Sequence, residues 1–362
     1  RTFASGYSWD NARDVLANLT MTYKLDNFLE GLYAKIQGNT TAGTTSTIIR
    51  TESPMVYERV VTSTGTEAYN PFGTNSQQIN EFNLSSNYQT TYAQVALGFD
   101  RTFGNHSIKN LLLGDLKNVI NNFDLPYKHT NLGAKSAYNY KGKYFAEAAL
   151  VYSGHDRIRK GSQFGFFYAG SLGYKLSEES FIKDNAKWID LLKVRLNYGK
   201  TGGNDNIDYF GYRGYYTQTG AGSYSFGTGV VNIVGLTEQP TLTTANATWE
   251  KANKLNVGVD FNIFKKALLF TAVYYNDRYY DLSIQRGKTS GLIGNSYPNE
   301  NIGITRYSGA DFQLTYQNNA NSFNYFVTGN LSLEQSKVIF KDEVLQKYDY
   351  NVTTGYPADA VF

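Results

Sequence analysis

The sequence predicts an all-β fold, an antiparallel transmembrane β-barrel, on three observations. Apolar and polar residues alternate with a period of two in many separate stretches. Tight turns alternate with much longer polar segments. The chain carries 31 Tyr and 22 Phe, yet its apolar runs last only a few residues, as from Ala148 to Tyr152. A membrane helix needs about 20 consecutive apolar residues, so strands are the only means of crossing. The mean hydropathy of −0.42 suits a barrel, whose lumen-facing polar residues cancel the lipid-facing apolar ones in any average.

The strands follow in order. Val15, Ala17, Leu19, Met21 and Tyr23 alternate with Asn18, Thr20, Thr22 and Lys24. Ala93, Val95, Leu97 and Phe99 do so against Gln94, Gly98 and Asp100. Val194, Leu196 and Tyr198 oppose Lys193, Arg195 and Asn197. Leu255, Val257, Val259 and Phe261 oppose Lys254, Asn256, Gly258, Asp260 and Asn262. Phe312, Leu314 and Tyr316, then Val327, Leu331 and Leu333, continue the series. One wet and one apolar face belong to antiparallel sheets.

Short turns are expected at Asp26-Asn27, Gly104-Asn105, Lys141-Gly142, Lys265-Lys266 and Asn318 to Asn321. A longer polar turn is expected from Leu176 to Asp184, with one helical turn at Ser177 to Phe181. Long segments fall near 38–80, 114–128, 153–162, 200–245 and 284–300. Tight periplasmic turns and long outer loops are how outer-membrane barrels are laid out. Two strands per interval give about 12 to 14, each near or above the 9–11 residues a tilted strand needs, and stretches such as Glu81 to Arg101 are expected to extend beyond the outer leaflet. Residues 1–362 are thus read as one partial barrel domain without a plug.

Composition excludes several functions. With no Cys there is no disulfide, thiol nucleophile or thiolate metal site. A formal charge of +3 without a basic run gives nucleic acid nothing to bind. His106, His129 and His155 are isolated in sequence and read as surface residues. Gly199-Lys200-Thr201-Gly202-Gly203 lacks the earlier glycine of a nucleotide loop, because Arg195 stands there. Asn204-Asp205-Asn206-Ile207-Asp208 offers oxygens to calcium without a closing Glu and reads as a polar turn. No carboxylate pair is brought together by the sequence, so no catalytic residue, cofactor or metal site is assigned. The chain is not expected to be an enzyme.

One constellation reads as functional. The 200–245 segment places Tyr209, Phe210, Tyr212, Arg213, Tyr215, Tyr216, Tyr224 and Phe226 among glycines, and Tyr297 adds to them from the 284–300 loop. Aromatic rings stack on sugar C–H faces or peptide side chains, while hydroxyls and Arg supply directional bonds. These residues are candidates for contact with substrate or a lid.

At these same residues the chain resembles the second half of a SusC-family (SusC/RagA-like) TonB-dependent transporter, from about Arg13 to Phe362. The resemblance is carried by Asp100-Arg101-Thr102-Phe103-Gly104-Asn105-His106-Ser107, Tyr140 to Ala148, Leu176 to Phe181, Leu192 to Asn204, Ala247 to Lys251, Asn256 to Phe261, Tyr274 to Asp277, Asn301-Ile302-Gly303 and Thr354-Gly355-Tyr356-Pro357. It implies a 22-stranded barrel plugged by an N-terminal domain, a TonB-contacting segment and a SusD-like lipoprotein lid. It implies active import across the outer membrane of a Gram-negative bacterium, of an oligosaccharide first and an oligopeptide second. Outer-membrane lipid would surround the barrel, and the TonB complex would be reached through the N-terminal region. The chain departs from the family in having no plug, no TonB box and too few strands, and in Tyr152 to Arg157, where the family has an Arg-Asp-Gly-Ser-Ser-Arg-Phe-like run. It is therefore read as an internal fragment. Two alternatives stand beside the importer: a passive porin-type channel, which should carry charged constriction residues, and a secreted all-β carbohydrate-binding protein, which should stay soluble without detergent.

Overall fold

The structure is a computed structural model, and it describes residues 6–122, 124–204, 207, 210–214, 217–218, 237–238, 243–244, 247–293, 297–320 and 323–359. The strands are β1 (Gly6–Lys24), β2 (Leu32–Thr51), β3 (Val56–Val61), β4 (Glu67–Phe72), β5 (Ile79–Phe103), β6 (His106–Asn121), β7 (Tyr127–Tyr140), β8 (Tyr144–His155), β9 (Phe164–Lys175), β10 (Ile189–Gly203), β11 (Thr217–Gln218), β12 (Thr237–Glu238), β13 (Glu250–Ile263), β14 (Leu268–Gln285), β15 (Asn299–Ala320) and β16 (Phe323–Phe340). Twelve of them form one antiparallel sheet in the order β1-β2-β5-β6-β7-β8-β9-β10-β13-β14-β15-β16. The pairs β3–β4 and β11–β12 are separate hairpins. The expected count of 12 to 14 holds at its lower end.

Strands run well past the length needed to cross the bilayer, as expected for Glu81 to Arg101, which lies within the 25 residues of β5. Some of the long segments shrink accordingly. β6 continues to Asn121 and β7 begins at Tyr127, so the segment placed at 114–128 shrinks to five connecting residues. The loop placed at 153–162 is likewise confined to 156–163, and β2 extends to Thr51. Beyond the bilayer both faces of a strand meet water, so the period-two signal fades while β-branched residues such as Thr44, Thr45 and Thr47 keep the backbone extended.

The chain divides into two compact units. The first comprises Arg1–Met21, Ile36–Gln94 and Leu116–Lys128. Within it Tyr88 Oη donates to Asp14 at 2.9 Å and Thr47 Oγ1 to Asp10 at 2.7 Å. Gly43 makes the first of these contacts possible, because a Cβ there would lie 2.4 Å from the Tyr88 ring.

The second unit comprises Thr22–Lys35, Val95–Asp115 and His129–Phe362. Its registers align apolar residue with apolar residue across strands. Leu172, Leu196, Val257, Tyr274, Ala310 and Leu333 form one cross-strand row, and Tyr174, Val194, Val259, Ala272, Phe312 and Leu331 another. Many of these bulky residues, such as Leu172, Tyr274 and Leu333, are exposed on the sheet surface. A continuous apolar face of this extent belongs against lipid. The opposite face carries cross-strand ion pairs: Lys109–Asp100 at 2.9 Å, Lys135–Glu147 at 2.8 Å and Arg195–Asp260, with Nη2 to Oδ1 at 3.0 Å.

At the tight-turn end the apolar face closes in an aromatic belt. Tyr144 stacks on Tyr174 with ring centroids 5.0 Å apart, and Trp188 lies against Phe261 and Phe264 at 6.2 and 6.1 Å. Rings with an apolar body and a polar tip favour the membrane interface. From Tyr144 to Tyr152 on β8 the run is about 26 Å along the strand, which at a tilt of about 40° covers roughly 20 Å of the ~25 Å apolar band of such barrels. The turns obey local chemistry. Lys141 and Gly142 of the three-residue turn between Tyr140 and Tyr144 both take positive φ, 53° and 67°, a conformation that tight hairpin connections use to reverse the chain. Between β9 and β10 a 3₁₀ turn (Leu176–Glu178) and one helical turn (Ser180–Lys183) occupy the expected site.

Candidate functional site

Two groupings stand on the face opposite the lipid, both inside the second unit. The first stands on β14, β15 and β16. Register places Tyr275, Gly309 and Glu334 in one row, and Asp277, Tyr307 and Ser336 in a row above it. A Cβ at Gly309 would lie 2.5 Å from the Tyr275 hydroxyl. Glycine there lets the phenol lie across β15 and donate to Glu334 at 2.8 Å. Tyr279 meets the edge of Tyr307 at a centroid distance of 5.5 Å. Lys254 from β13 donates to Tyr279 Oη at 3.0 Å and pairs with Asp277 at 3.4 Å. With Leu282 and Thr305 these tyrosines and carboxylates line a pocket of about 380 Å³. The arrangement offers ring faces for stacking and oxygens for directed hydrogen bonds, the combination that holds a polar ligand.

The second grouping roots the 204–249 connection onto the wall. Ile158 is fully buried and packs with Phe167 and Trp249, joined by Ile207. Trp249 meets Phe167 edge-on at 5.3 Å and donates from Nε1 to the Gln163 carbonyl at 3.1 Å. Asn301 fixes the returning strand: its Nδ2 donates to the carbonyls of Thr248 and Asp281, and its Oδ1 accepts from Thr248 N. Asp281 takes a φ of 55° where the β14 register shifts. It pairs with Lys251 at 2.7 Å.

Of the sequence-predicted contact residues, Phe210, Tyr212, Arg213 and Tyr297 are described. Arg213 lies over the Phe210 ring at 4.6 Å and over Tyr212 at 5.7 Å, and the two rings are 6.3 Å apart. These three do come together. Tyr297 belongs to a different grouping, within electrostatic range of Arg286, which hydrogen-bonds Glu300 through Nε at 2.8 Å. Tyr209, Tyr215, Tyr216, Tyr224 and Phe226 lie outside the described residues, as do Asp205, Asn206 and Asp208 of the polar turn weighed for calcium.

The surface reading of the histidines needs correction. His129 and His155 stand opposite each other in the β7–β8 register, their rings 4.2 Å apart edge to face, and His155 is buried. Its Nδ1 accepts from Arg157 N at 3.0 Å. A separation of 26 residues in sequence hid a pairing that only strand register reveals. His106 is likewise engaged, its Nδ1 2.7 Å from Tyr138 Oη. Among the described residues no group of three or more His, Cys, Asp or Glu could hold a metal. The pocket of Tyr275, Asp277, Tyr279, Tyr307 and Glu334 was not singled out in the sequence. Its signal was there: on β14 and β15 these aromatics fall on the polar parity of the strand.

The fold and the two-faced wall define an outer-membrane β-barrel, whose polar face looks into the lumen. Searches with known proteins narrow this further. No family model matches the chain. It is 27% identical over 203 residues to the TonB-dependent receptor P3 of Formosa agariphila, covering 56% of this chain and 19% of that one. It is 28% identical over 178 residues to the TonB-dependent receptor SusC of Bacteroides thetaiotaomicron, covering 49% and 17%. The chain thus spans about a fifth of the length of these curated relatives. Among solved structures, the RagAB peptide importer in its closed-closed state superposes with a TM-score of 0.73 at 14% identity, covering 97% of this chain and 40% of that one. The chain is thus similar to part of the barrel of TonB-dependent, SusC-like transporters, and its two-faced sheet is an outer-membrane wall of a Gram-negative cell.

Proposed function

We propose that this wall belongs to an active nutrient importer, with an oligosaccharide as the first candidate ligand and an oligopeptide as the second. The observation that carries the reading is the lumen-facing pocket of Tyr275, Asp277, Tyr279, Tyr307 and Glu334, which a ligand moving along the lumen would meet. Stacking faces beside carboxylates suit a hydroxyl-rich ligand. The name of the RagAB peptide importer supports the second class. The Phe210, Tyr212 and Arg213 cluster is a further contact to ligand or lid, and Tyr209, Tyr215, Tyr216, Tyr224 and Tyr297 are proposed with it.

Residues 1–362 act as a single partial barrel domain in this scheme. Plug and TonB contact come from polypeptide outside them, a SusD-like lipoprotein covers the mouth, and no bond of the ligand is broken. The test is uptake of candidate glycans and peptides by cells carrying the intact protein, with and without a functional TonB system. Uptake that needs both the protein and TonB is the expected result. Uptake that continues unchanged without TonB would establish a passive channel instead.

A further inference from the structure

The outward face of the second unit carries a second chemical pattern, independent of the lumen. Following outward positions up three adjacent strands, the residue type changes in step. On β14 the order is Tyr274, Asn276, Arg278; on β15 it is Ala310, Ser308, Arg306; on β16 it is Leu333, Gln335, Lys337. Register places these in shared rows: Asn276 opposite Ser308 and Ser308 opposite Gln335, then Arg278 opposite Arg306 and Arg306 opposite Lys337. The same row reaches Asn253 on β13 and Lys200 on β10. Each strand therefore passes from apolar to uncharged polar to cationic within four residues, on the face that meets lipid.

Like charges directly opposite on a sheet are destabilising, and here two such pairs are adjacent. Among the described residues no ion pair offsets them. The ion pairs of these strands are Arg195–Asp260, Lys251–Asp281, Lys254–Asp277 and Arg286–Glu300, and none includes Lys200, Arg278, Arg306 or Lys337 among the described residues. The nearby carboxylates Asp277, Asp311 and Glu334 stand at the opposite strand parity and serve the lumen face. Arg306 uses only its Nε, donating to Asn276 at 2.8 Å, so its terminal nitrogens remain available. Arg278, Arg306 and Lys337 are exposed and Lys200 is half-exposed. Neighbouring strands lie about 4.8 Å apart, so the row from Lys200 to Lys337 spans about 19 Å.

We propose that this cationic row binds the anionic headgroup of an outer-leaflet lipid, the phosphorylated sugar head of lipopolysaccharide. The position argues for lipid, because on β14, β15 and β16 the row lies four residues beyond Tyr274, Ala310 and Leu333 of the apolar face. The side of the membrane argues for lipopolysaccharide, because the row lies at the end opposite the tight turns and their aromatic belt, which marks the outer leaflet. Guanidinium pairs one strand apart can grip phosphate oxygens through several N–H groups at once.

The test is native mass spectrometry and a binding titration on the intact barrel purified in detergent, with lipid A, dephosphorylated lipid A and phosphatidylethanolamine as probes. Wild-type protein is expected to hold lipid A well above the other two. The double variant Arg278→Gln/Arg306→Gln should lose about 30-fold in lipid A affinity, at roughly 1 kcal/mol per surface cation. Arg278→Lys/Arg306→Lys should retain most of it. Lys254→Gln, which removes one charge from the lumen face, should leave lipid A binding unchanged. If the first double variant fails to fold, Lys200→Gln/Lys337→Gln asks the same question at the ends of the row. Equal affinity of the glutamine variants and wild type for lipid A would overturn the proposal, as would equal binding of the dephosphorylated lipid.

Discussion

Arginine placed on either face of β13 should have opposite consequences, and the size of the difference follows from the register. Val259 sits in the apolar row between Val194 and Ala272. The next polar outward residue on its strand, Asn253, is six residues away, about 20 Å along the strand and beyond the reach of an arginine side chain. Toward the tight turn, however, Phe261 of the interfacial belt is only two residues away, about 7 Å. A charge there can lean toward that interface, so Val259→Arg falls at the lower end of the ~2–4 kcal/mol range for the bilayer midplane. About 2 kcal/mol is a shift of roughly 30-fold in the folding equilibrium, at about 1.4 kcal/mol per factor of ten. Asn256 is three residues away but on the lumen parity, beside Asn197 and Tyr275. Asn256→Arg meets a hydrated polar face and should cost within about 0.5 kcal/mol of zero. The assay is reversible urea unfolding of the intact barrel in lipid vesicles, followed by tryptophan fluorescence and by gel mobility with and without heating. If Asn256→Arg costs as much as Val259→Arg, the assignment of faces is wrong. If neither costs more than a surface substitution, this sheet does not face lipid.

Other expectations test the remaining parts. Trp249→Phe loses the bond to the Gln163 carbonyl and should cost about 1 kcal/mol, whereas Trp249→Ala also empties the Ile158–Phe167 cluster and should cost about 3–5 kcal/mol; denaturant midpoints separate them, and equal losses would refute the packing role. Tyr279→Ala and Tyr307→Ala should each weaken binding of the imported ligand by about tenfold, as stacking loss implies, with unchanged calorimetric affinity removing that pocket from the ligand path. Glu178, in the connection between β9 and β10, is held below the ordinary carboxylate range, first by its hydrogen bond from Lys175 and then by that from Lys183. Its folded pKa is depressed, so its contribution is complete above the ordinary carboxylate value and disappears as pH falls through the depressed one. The stability gap between wild type and Glu178→Gln should therefore narrow on acidification below that range, and a widening gap would contradict the ion-pair origin.

Much of the wall was legible because alternation reports directly on a sheet with one apolar face. Leu255, Val257, Val259 and Phe261 were assigned together, and register places them in line with Tyr198, Leu196, Val194 and Leu192. The extent of the strands was less legible, since above the bilayer neither face of β6 at Lys117 and Asn118 need be apolar. Site residues were the least legible. Phe210, Tyr212 and Arg213 are close in sequence, so composition could group them. Tyr275 and Glu334, like His129 and His155, meet only through strand pairing, and no local pattern announces which residues stand opposite one another.

On β15 the neighbours Arg306 and Tyr307 serve two unrelated surroundings, and every second residue repeats that division. Losing or gaining one residue between the turn and the rim would exchange them, turning Tyr307 toward lipid and Arg306 into the channel. Length changes in the twelve long strands should therefore be purged during evolution, while single substitutions at the rim pass. New ligand preferences would then arise chiefly by point replacement at positions such as Tyr279 and Tyr307 and by resizing of the loops. In this sense the wall is a fixed ruler along which specificity is rewritten one position at a time.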